Sequence, residues 1–312
     1  MRLEGVHHVT AITADVLKNV DFYTRVLGLR LVGKSVNQDD PTVYHVFFSD
    51  EHGHPGADIT FFEYRHAARG RAGAGMVHRV LWRVRDAAAL KFWETRLAAE
   101  GVATARGEGS LRFADPEGLE HELVTPEVPD EPRIAEHPGI PREMALQGFH
   151  GVRAYGARIE KSGELIEQVL GGVRVAGPRA GAAGDTWELR GDRRGGTITF
   201  DTPPAERGSP AAGTVHHVAW GTTVAEHPLW VGQLATHNVH STPVVDRHFF
   251  KSIYFREPGG VLYEIADDGP GFGSDDELGR TILLPPWYES QRRAIEAGLT
   301  PIPDPRATWK TH

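Results

Sequence analysis

Four short segments of the chain repeat one pattern at nearly constant spacing: VHHVTAI from Val6, VHRVLWRV from Val77, FHGVRAY from Phe149 and VHHVAWG from Val215. Each is an apolar, strand-like run with a histidine in second place, namely His7, His78, His150 and His216, at intervals of 71, 72 and 66 residues. A regular internal period marks repeated supersecondary units, so the fold is built from four copies of one module.

The sequence beyond each histidine repeats as well. Helix-patterned stretches start at Asp15, Arg85, Ile159 and Val224, and in the first, Val16, Val20, Tyr23 and Leu27 recur every three or four residues as an apolar stripe. Gly28, Gly101 and Gly171 stand where such helices stop. Short alternating runs broken by turn residues come next, such as VYHVFF, SLRFADPEG and KSIYFREPGG, and they read as antiparallel hairpins. The expected unit is β-α-β-β-β, and the expected class is α+β. Two modules fill an N-terminal domain at 1–126 and two a C-terminal domain at 147–270. The Pro- and Glu-rich stretch within 127–146 is the linker, and 271–312 is an extension with a helix opened by Pro285 and Pro286.

Composition narrows the chemistry. The chain has no cysteine, so thiolate nucleophiles, disulfides and Cys-bound metals are excluded, and any metal must be held by His and carboxylate. A net charge of −8 without a basic stripe argues against nucleic acid and anionic membrane as partners. No segment has the length of apolar sequence that spans a bilayer or forms a signal peptide, and the expected compartment is the cytoplasm.

Divergence between the copies separates fold from function. The first histidine is kept in all four, which suggests a packing role. The next position is His8, Arg79, Gly151 and His217 in turn. Aligning the last strand of each unit on its preceding turn places Glu264 opposite Glu122, with Phe61 and Phe200 at the matching places of copies one and three. The first and fourth copies thus supply His8, His217 and Glu264. Two imidazoles and a carboxylate form the facial set that holds a divalent cation such as non-haem Fe(II) with positions left open. Strand alternation agrees: Val261, Tyr263 and Ile265 share one face and Glu264 points the other way, while His8 and Thr10 share a face and His7 takes the opposite one.

Bland roles go to the rest. His78 and His150 read as satisfied core residues, and Arg79 with Glu122 as a structural ion pair. His52, His54, His237 and His240 read as loop or surface histidines, and Phe61 and Trp220 as core packing rather than pocket wall.

With these residues in view, the sequence resembles the vicinal oxygen chelate (glyoxalase, bleomycin resistance, dioxygenase) superfamily. HHVTAITADVLKNVDFYTRVLGLRLV is similar to the signature of its first strand and helix. Gly151 breaks the site of a catechol-type enzyme, and the spacing from His8 to His217 to Glu264 resembles that of hydroquinone-type ring-cleaving dioxygenases. VDRHFFKSIYFREPGG (245–260) and the tail LPPWYESQRRAIE are similar to that branch too.

The resemblance implies paired βαβββ modules forming curved, barrel-like mixed sheets around a metal, Fe(II) foremost with Mn(II) accepted by the same ligands. It implies a small aromatic para-diol and O2 as the molecules bound, and it leaves a homo-oligomer open. Arg247, Tyr254, His7, Thr10 and His216 would lie around the metal or against the substrate. His216 or His7 would be the acid–base partner, Tyr254 a hydrogen-bond donor, and Arg247 a holder of a carboxylate or a tuner of Tyr254. The rival readings are a glyoxalase-like isomerase or lyase with a fourth protein ligand, and a non-catalytic small-molecule-binding relative.

Overall fold

The computed structural model describes residues 1–175, 184–273 and 278–307. The first module runs β1 (Glu4–Thr13), α1 (Val16–Asp21, continued by a π-turn at Phe22–Val26), β2 (Arg30–Asn37), β3 (Asp40–Ser49) and β4 (Asp58–Glu63). The second is β5 (Met76–Arg83), α2 (Ala87–Ala99), β6 (Thr104–Gly107), β7 (Ser110–Ala114) and β8 (Glu120–Val124). The third is β9 (Phe149–Tyr155), α3 (Ile159–Gln168), β10 (Val173–Arg174), β11 (Asp185–Arg190) and β12 (Gly195–Asp201). The fourth is β13 (Val215–Thr222), α4 (Trp230–Thr236), β14 (Val245–Asp246), β15 (Lys251–Arg256) and β16 (Leu262–Asp267). All four expected modules are present, and the class is α+β.

Local chemistry explains the helix ends. Asp15 caps α1 by accepting from Lys18 N–H, and Asp86 caps α2 through the N–H groups of Ala88 and Ala89. Gly28, Gly101 and Gly171 all carry positive φ just past their helices, where a side chain would be strained.

The sheets cross the division expected from the linker. One eight-stranded sheet has the order β14-β15-β16-β13-β1-β4-β3-β2 and joins the fourth module to the first. The other, β10-β11-β12-β9-β5-β8-β7-β6, joins the third to the second. Each sheet therefore takes one module from 1–126 and one from 147–270. Chain proximity does not decide strand pairing. β1 and β5 each lie between a parallel partner from their own module and an antiparallel one, β13 or β9, from across the chain. The expected linker is itself packed, with Ala135, Ile140, Ala145 and Leu146 buried. The sheets touch where Gly5 of β1 meets Gly195 of β12, and a Cβ on Gly5 would lie 2.1 Å from the Gly195 carbonyl oxygen.

Every repeated histidine occupies a β-bulge. On the β1–β13 ladder His7 is the extra residue between Val6 and His8, and His216 the extra one between Val215 and His217. His78 and His150 hold the same places on the β5–β9 ladder. A bulge rotates one side chain out of strict alternation, which is why His7 does not simply turn away from His8.

The register also corrects the sequence alignment. Glu264 lies opposite Ala219, two residues past His217, and Glu122 lies opposite Leu81, two past Arg79. Two residues past His8 is Thr10, whose partner is Thr60, and two past Gly151 is Arg153, whose partner is Thr199. Thr60 and Thr199, not Phe61 and Phe200, are the equivalents of Glu264. The turns before these strands differ by one residue, and a one-residue slip exchanges the faces of a strand. Phe61 is buried against Tyr23 and Phe48, and Trp220 against Tyr263, so both belong to the core.

Candidate metal centre

His8 on β1 and His217 on β13 sit diagonally across adjacent strands, since Thr10 pairs with His217 and His8 with Ala219. Glu264 comes from β16, the next strand after β13. Their donor atoms converge. His8 Nε2 lies 3.2 Å from His217 Nε2 and 3.3 Å from Glu264 Oε2, and His217 Nε2 lies 2.9 Å from that same oxygen. All three residues are buried, and among the described residues no other group of three His, Asp or Glu side chains converges in this way.

The donor set fits a divalent cation. Ligand atoms about 2.1 Å from a shared ion, at right angles to one another, stand about 3 Å apart, close to the separations found. Glu264 Oε2 is buried yet accepts no hydrogen bond of good geometry, whereas Oε1 accepts one from Ser252 Oγ at 2.5 Å. Burial opposes ionisation of Glu264, but the two imidazoles beside it hold its carboxyl well below the usual range. Burial likewise lowers His217, against the pull of Glu264. A carboxylate and two imidazoles thus face one shared buried volume.

The imidazoles of His8 and His217 are each held from behind by their neighbour in the sequence. His7 Nδ1 faces His8 Nδ1 at 2.9 Å, and His216 Nδ1 faces His217 Nδ1 at 2.8 Å. His7 Nε2 lies 3.1 Å from the carbonyl of Asp267. A carbonyl only accepts, so His7 carries its proton on Nε2 and accepts at Nδ1 from His8. That leaves His8 Nε2 as a lone pair toward the centre.

In front of the three residues opens a cavity of about 230 Å³. Phe47, Phe62, Phe249, Phe250 and Leu262 give it flat apolar walls, and His45, Arg247 and Tyr254 supply polar groups. Thr10 and His216 line it as well, while His7 does not and lies behind His8. Arg247 Nε donates to Tyr254 Oη at 3.2 Å, and its guanidinium stacks 5.3 Å from the tyrosine ring. The other guanidinium nitrogens bind both carboxylate oxygens of Asp39, at 3.2 and 3.0 Å. Arg247 is thus already neutralised. Burial and Glu264 push the Tyr254 hydroxyl above its usual range, so it stays protonated.

The C-terminal extension helps hold the rim. A 3-10 turn at Pro286–Gln291 leads into α5 (Arg292–Gly298). Tyr288 Oη donates to the Gln38 carbonyl, and Gln38 Nε2 donates to the Arg247 carbonyl.

The equivalent position in the second sheet carries no such set. Arg79 binds Glu120 at 2.6 Å and Glu122 at 3.1 Å, and His78 binds Asp201 at 2.8 Å, so the ion pair expected of Arg79 and Glu122 is present. Sequence reasoning missed His45, Thr60, Asp39, Ser252 and Phe250. Alternation in VYHVFF could have separated His45 from its buried neighbours, but only the folded strands bring Thr60, the ladder partner of Phe47, within hydrogen-bond reach of it.

Comparison with known proteins agrees with this architecture. The model of the Glyoxalase/Bleomycin resistance protein/Dioxygenase superfamily matches residues 5–123. The chain is 40% identical, over 96% of each sequence, to "Putative ring-cleaving dioxygenase MhqO" of Bacillus subtilis. The chain belongs to this superfamily. Within it, the "Chlorohydroquinone/hydroquinone 1,2-dioxygenase" of Sphingobium indicum is 29% identical, over 92% of this chain and 93% of its own. A crystal structure titled as a "putative dioxygenase" from Bacillus subtilis superposes with a TM-score of 0.90 at 37% identity, covering 97% of this chain and 98% of the other.

Proposed function

We propose that this chain is a non-haem Fe(II)-dependent dioxygenase that opens the ring of a hydroquinone-type para-diol with O2. The observation that carries the reading is the convergence of His8, His217 and the unpartnered Glu264 Oε2 on one aromatic-walled cavity. The names of the relatives point to the same chemistry. His8, His217 and Glu264 would hold the metal, with Mn(II) accepted by the same donors. When bound, it would supply electron transfer between an electron-rich ring and O2, with open positions for both.

The chain's own residues do the rest. Phe47, Phe62, Phe249 and Phe250 hold a flat ring and exclude water from it. Tyr254 accepts from Arg247, which leaves its hydroxyl hydrogen for an oxygen in the cavity. Arg247 serves Tyr254 rather than a substrate carboxylate, because Asp39 already occupies it. This favours rings with neutral substituents. His216 at the rim accepts from His217 at Nδ1 and has Nε2 free for proton exchange, while His7 keeps His8 in place. Thr60 stands where an isomerase of the same fold would need a second carboxylate ligand. The compartment proposed is the cytoplasm. Among the described residues no helix is long and apolar enough to cross a membrane.

The test is anaerobic loading with Fe(II), then oxygen uptake with hydroquinone, chlorohydroquinone, methylhydroquinone and catechol. Uptake with the para-diols is expected. Uptake with catechol alone, or with none of the four, overturns the reading.

A further inference from the structure

One histidine of the cavity neither orients a proposed ligand nor stands at the rim. His45 of β3 lines the cavity between Phe47 and Phe62, whose rings lie 4.0 and 4.4 Å from its own. Its Nε2 is 2.9 Å from Thr60 Oγ1, and Thr60 Oγ1 is 2.8 Å from Thr10 Oγ1. Thr60 is buried inside the wall, and Thr10 lines the cavity again on the face of His8, in register with His217. Two hydroxyls thus connect the volume beside the proposed metal to the His45 imidazole. A hydroxyl both accepts and donates, so this chain can pass a proton along itself.

We propose that His45 is the proton acceptor of the site, taking the proton of the substrate hydroxyl through Thr10 and Thr60. The inference rests on the para-diol reading above. Thr10 Oγ1 accepts the proton as the substrate O–H bond breaks, and its electron pair stays on the substrate oxygen. Thr10 donates its own hydrogen to Thr60, and Thr60 donates to His45, where a new N–H bond forms at Nε2. The products are a phenolate and an imidazolium, and both threonines end as they began.

His45 starts unprotonated. Burial first, then the charges of His8 on β1 and His217 on β13, hold its imidazole well below the ordinary range; Glu264 on β16 pulls the other way, and Arg247 adds to the lowering. It therefore stands neutral before substrate arrives, and the new phenolate stabilises the imidazolium afterwards. Thr60 stands at the register of Glu264 in its own module, which places its hydroxyl next to the strand that carries His8 and Thr10.

The test uses Thr60→Val, which keeps the shape and removes the hydroxyl, and Thr60→Ser, which restores it, beside His45→Gln. In Thr60→Val, kcat is expected to fall about a hundredfold or more, with KM and Mn(II) affinity within twofold of the wild type. Thr60→Ser should recover most of kcat, and the Thr60→Val/His45→Gln double variant should be no slower than either single one. Independently of turnover, anaerobic ultraviolet difference spectra of methylhydroquinone bound to the Mn(II) protein should show the phenolate band in the wild type. Thr60→Val should show the neutral phenol instead. Wild-type kcat in Thr60→Val, or a loss in His45→Gln that Thr60→Val does not share, overturns the relay, as does a parallel loss of Mn(II) affinity. Failure of the wild type to consume oxygen with any para-diol would instead sink the underlying reading.

Discussion

His7 and His8 are consecutive in the chain, yet their ring nitrogens face each other, Nδ1 to Nδ1, at 2.9 Å. Regular strand geometry would send them to opposite faces, and the bulge at His7 prevents that. The pairing makes one imidazole the hydrogen-bond acceptor that orients the next. Replacing His7 by Ala removes the acceptor for the His8 Nδ1 hydrogen while leaving the triad in place. Mn(II) or Co(II) affinity is expected to drop about 10- to 100-fold, the range for residues that orient a ligand from behind. Calorimetric titration measures it, and wild-type affinity in His7→Ala would show that His8 needs no such support.

The triad is legible in the sequence because repeated copies expose the positions that vary, and His8, Arg79, Gly151 and His217 differ where fold alone would keep them alike. Strand alternation then selects Glu264 over its neighbours. The pairing of the first module with the fourth is not legible, since the strands that make each sheet are far apart in the chain and nothing local encodes which edge meets which. Thr60 is hidden for a similar reason. The segments before β4 and β16 differ by one residue, and only the ladder with β1 shows which residue stands at the register of Glu264. The bulges at His7, His78, His150 and His216 explain why a histidine kept in every copy reads as packing: its place in the ladder is structural, and only two of the four stand behind a member of the triad.

Glu264 gives the most direct reading of the metal. Its Oε2 is an ionised, buried acceptor with no hydrogen-bond partner, and a cation would satisfy it. With metal at about a hundred times its dissociation constant, the wild type should gain roughly 2.7 kcal/mol of stability, lost again on chelation. Glu264→Gln places an amide there with no charge to offer, and its melting temperature should not respond to metal. Differential scanning calorimetry with and without Mn(II) decides this. An equal rise in both proteins would assign the metal elsewhere.

Arg194 ties the second sheet to all three strands of the centre. It lies just before β12, in the hairpin of the third module. Its guanidinium holds Asp268, after β16, at 2.7 and 3.3 Å, and reaches Glu4 of β1 at 3.6 Å. It also packs over the α-carbon of Gly221 on β13, where a side chain would collide with it. Those strands carry Glu264, His8 and His217. Arg194→Met keeps the aliphatic stem and removes the clamp, and should weaken Mn(II) binding about tenfold with the sheets intact. Manganese electron paramagnetic resonance should broaden as the donors loosen. A spectrum and an affinity identical to the wild type would confine Arg194 to joining the sheets.

Acid stability should expose two buried groups of opposite sign in one network. Tyr23 Oη lies 2.8 Å from His121 Nε2 and donates to Asp115, while Trp82 Nε1 donates to His121 Nδ1. Burial lowers His121 to about 3, and burial raises Asp115 to about 6, despite backbone N–H groups donating to it. Between pH 6 and 4 the unfolded chain protonates His121 and the folded chain does not, so its contribution falls as pH falls. Over the same window the folded chain protonates Asp115 and the unfolded chain does not, so its contribution rises as pH falls. In the wild type the two slopes cancel. Asp115→Asn should therefore lose stability relative to the wild type by about 1.4 kcal/mol per pH unit on acidification, and His121→Gln should gain by a similar amount. Urea unfolding at pH 6, 5 and 4 measures both slopes. Parallel pH profiles for the three proteins would mean that neither group titrates differently on folding.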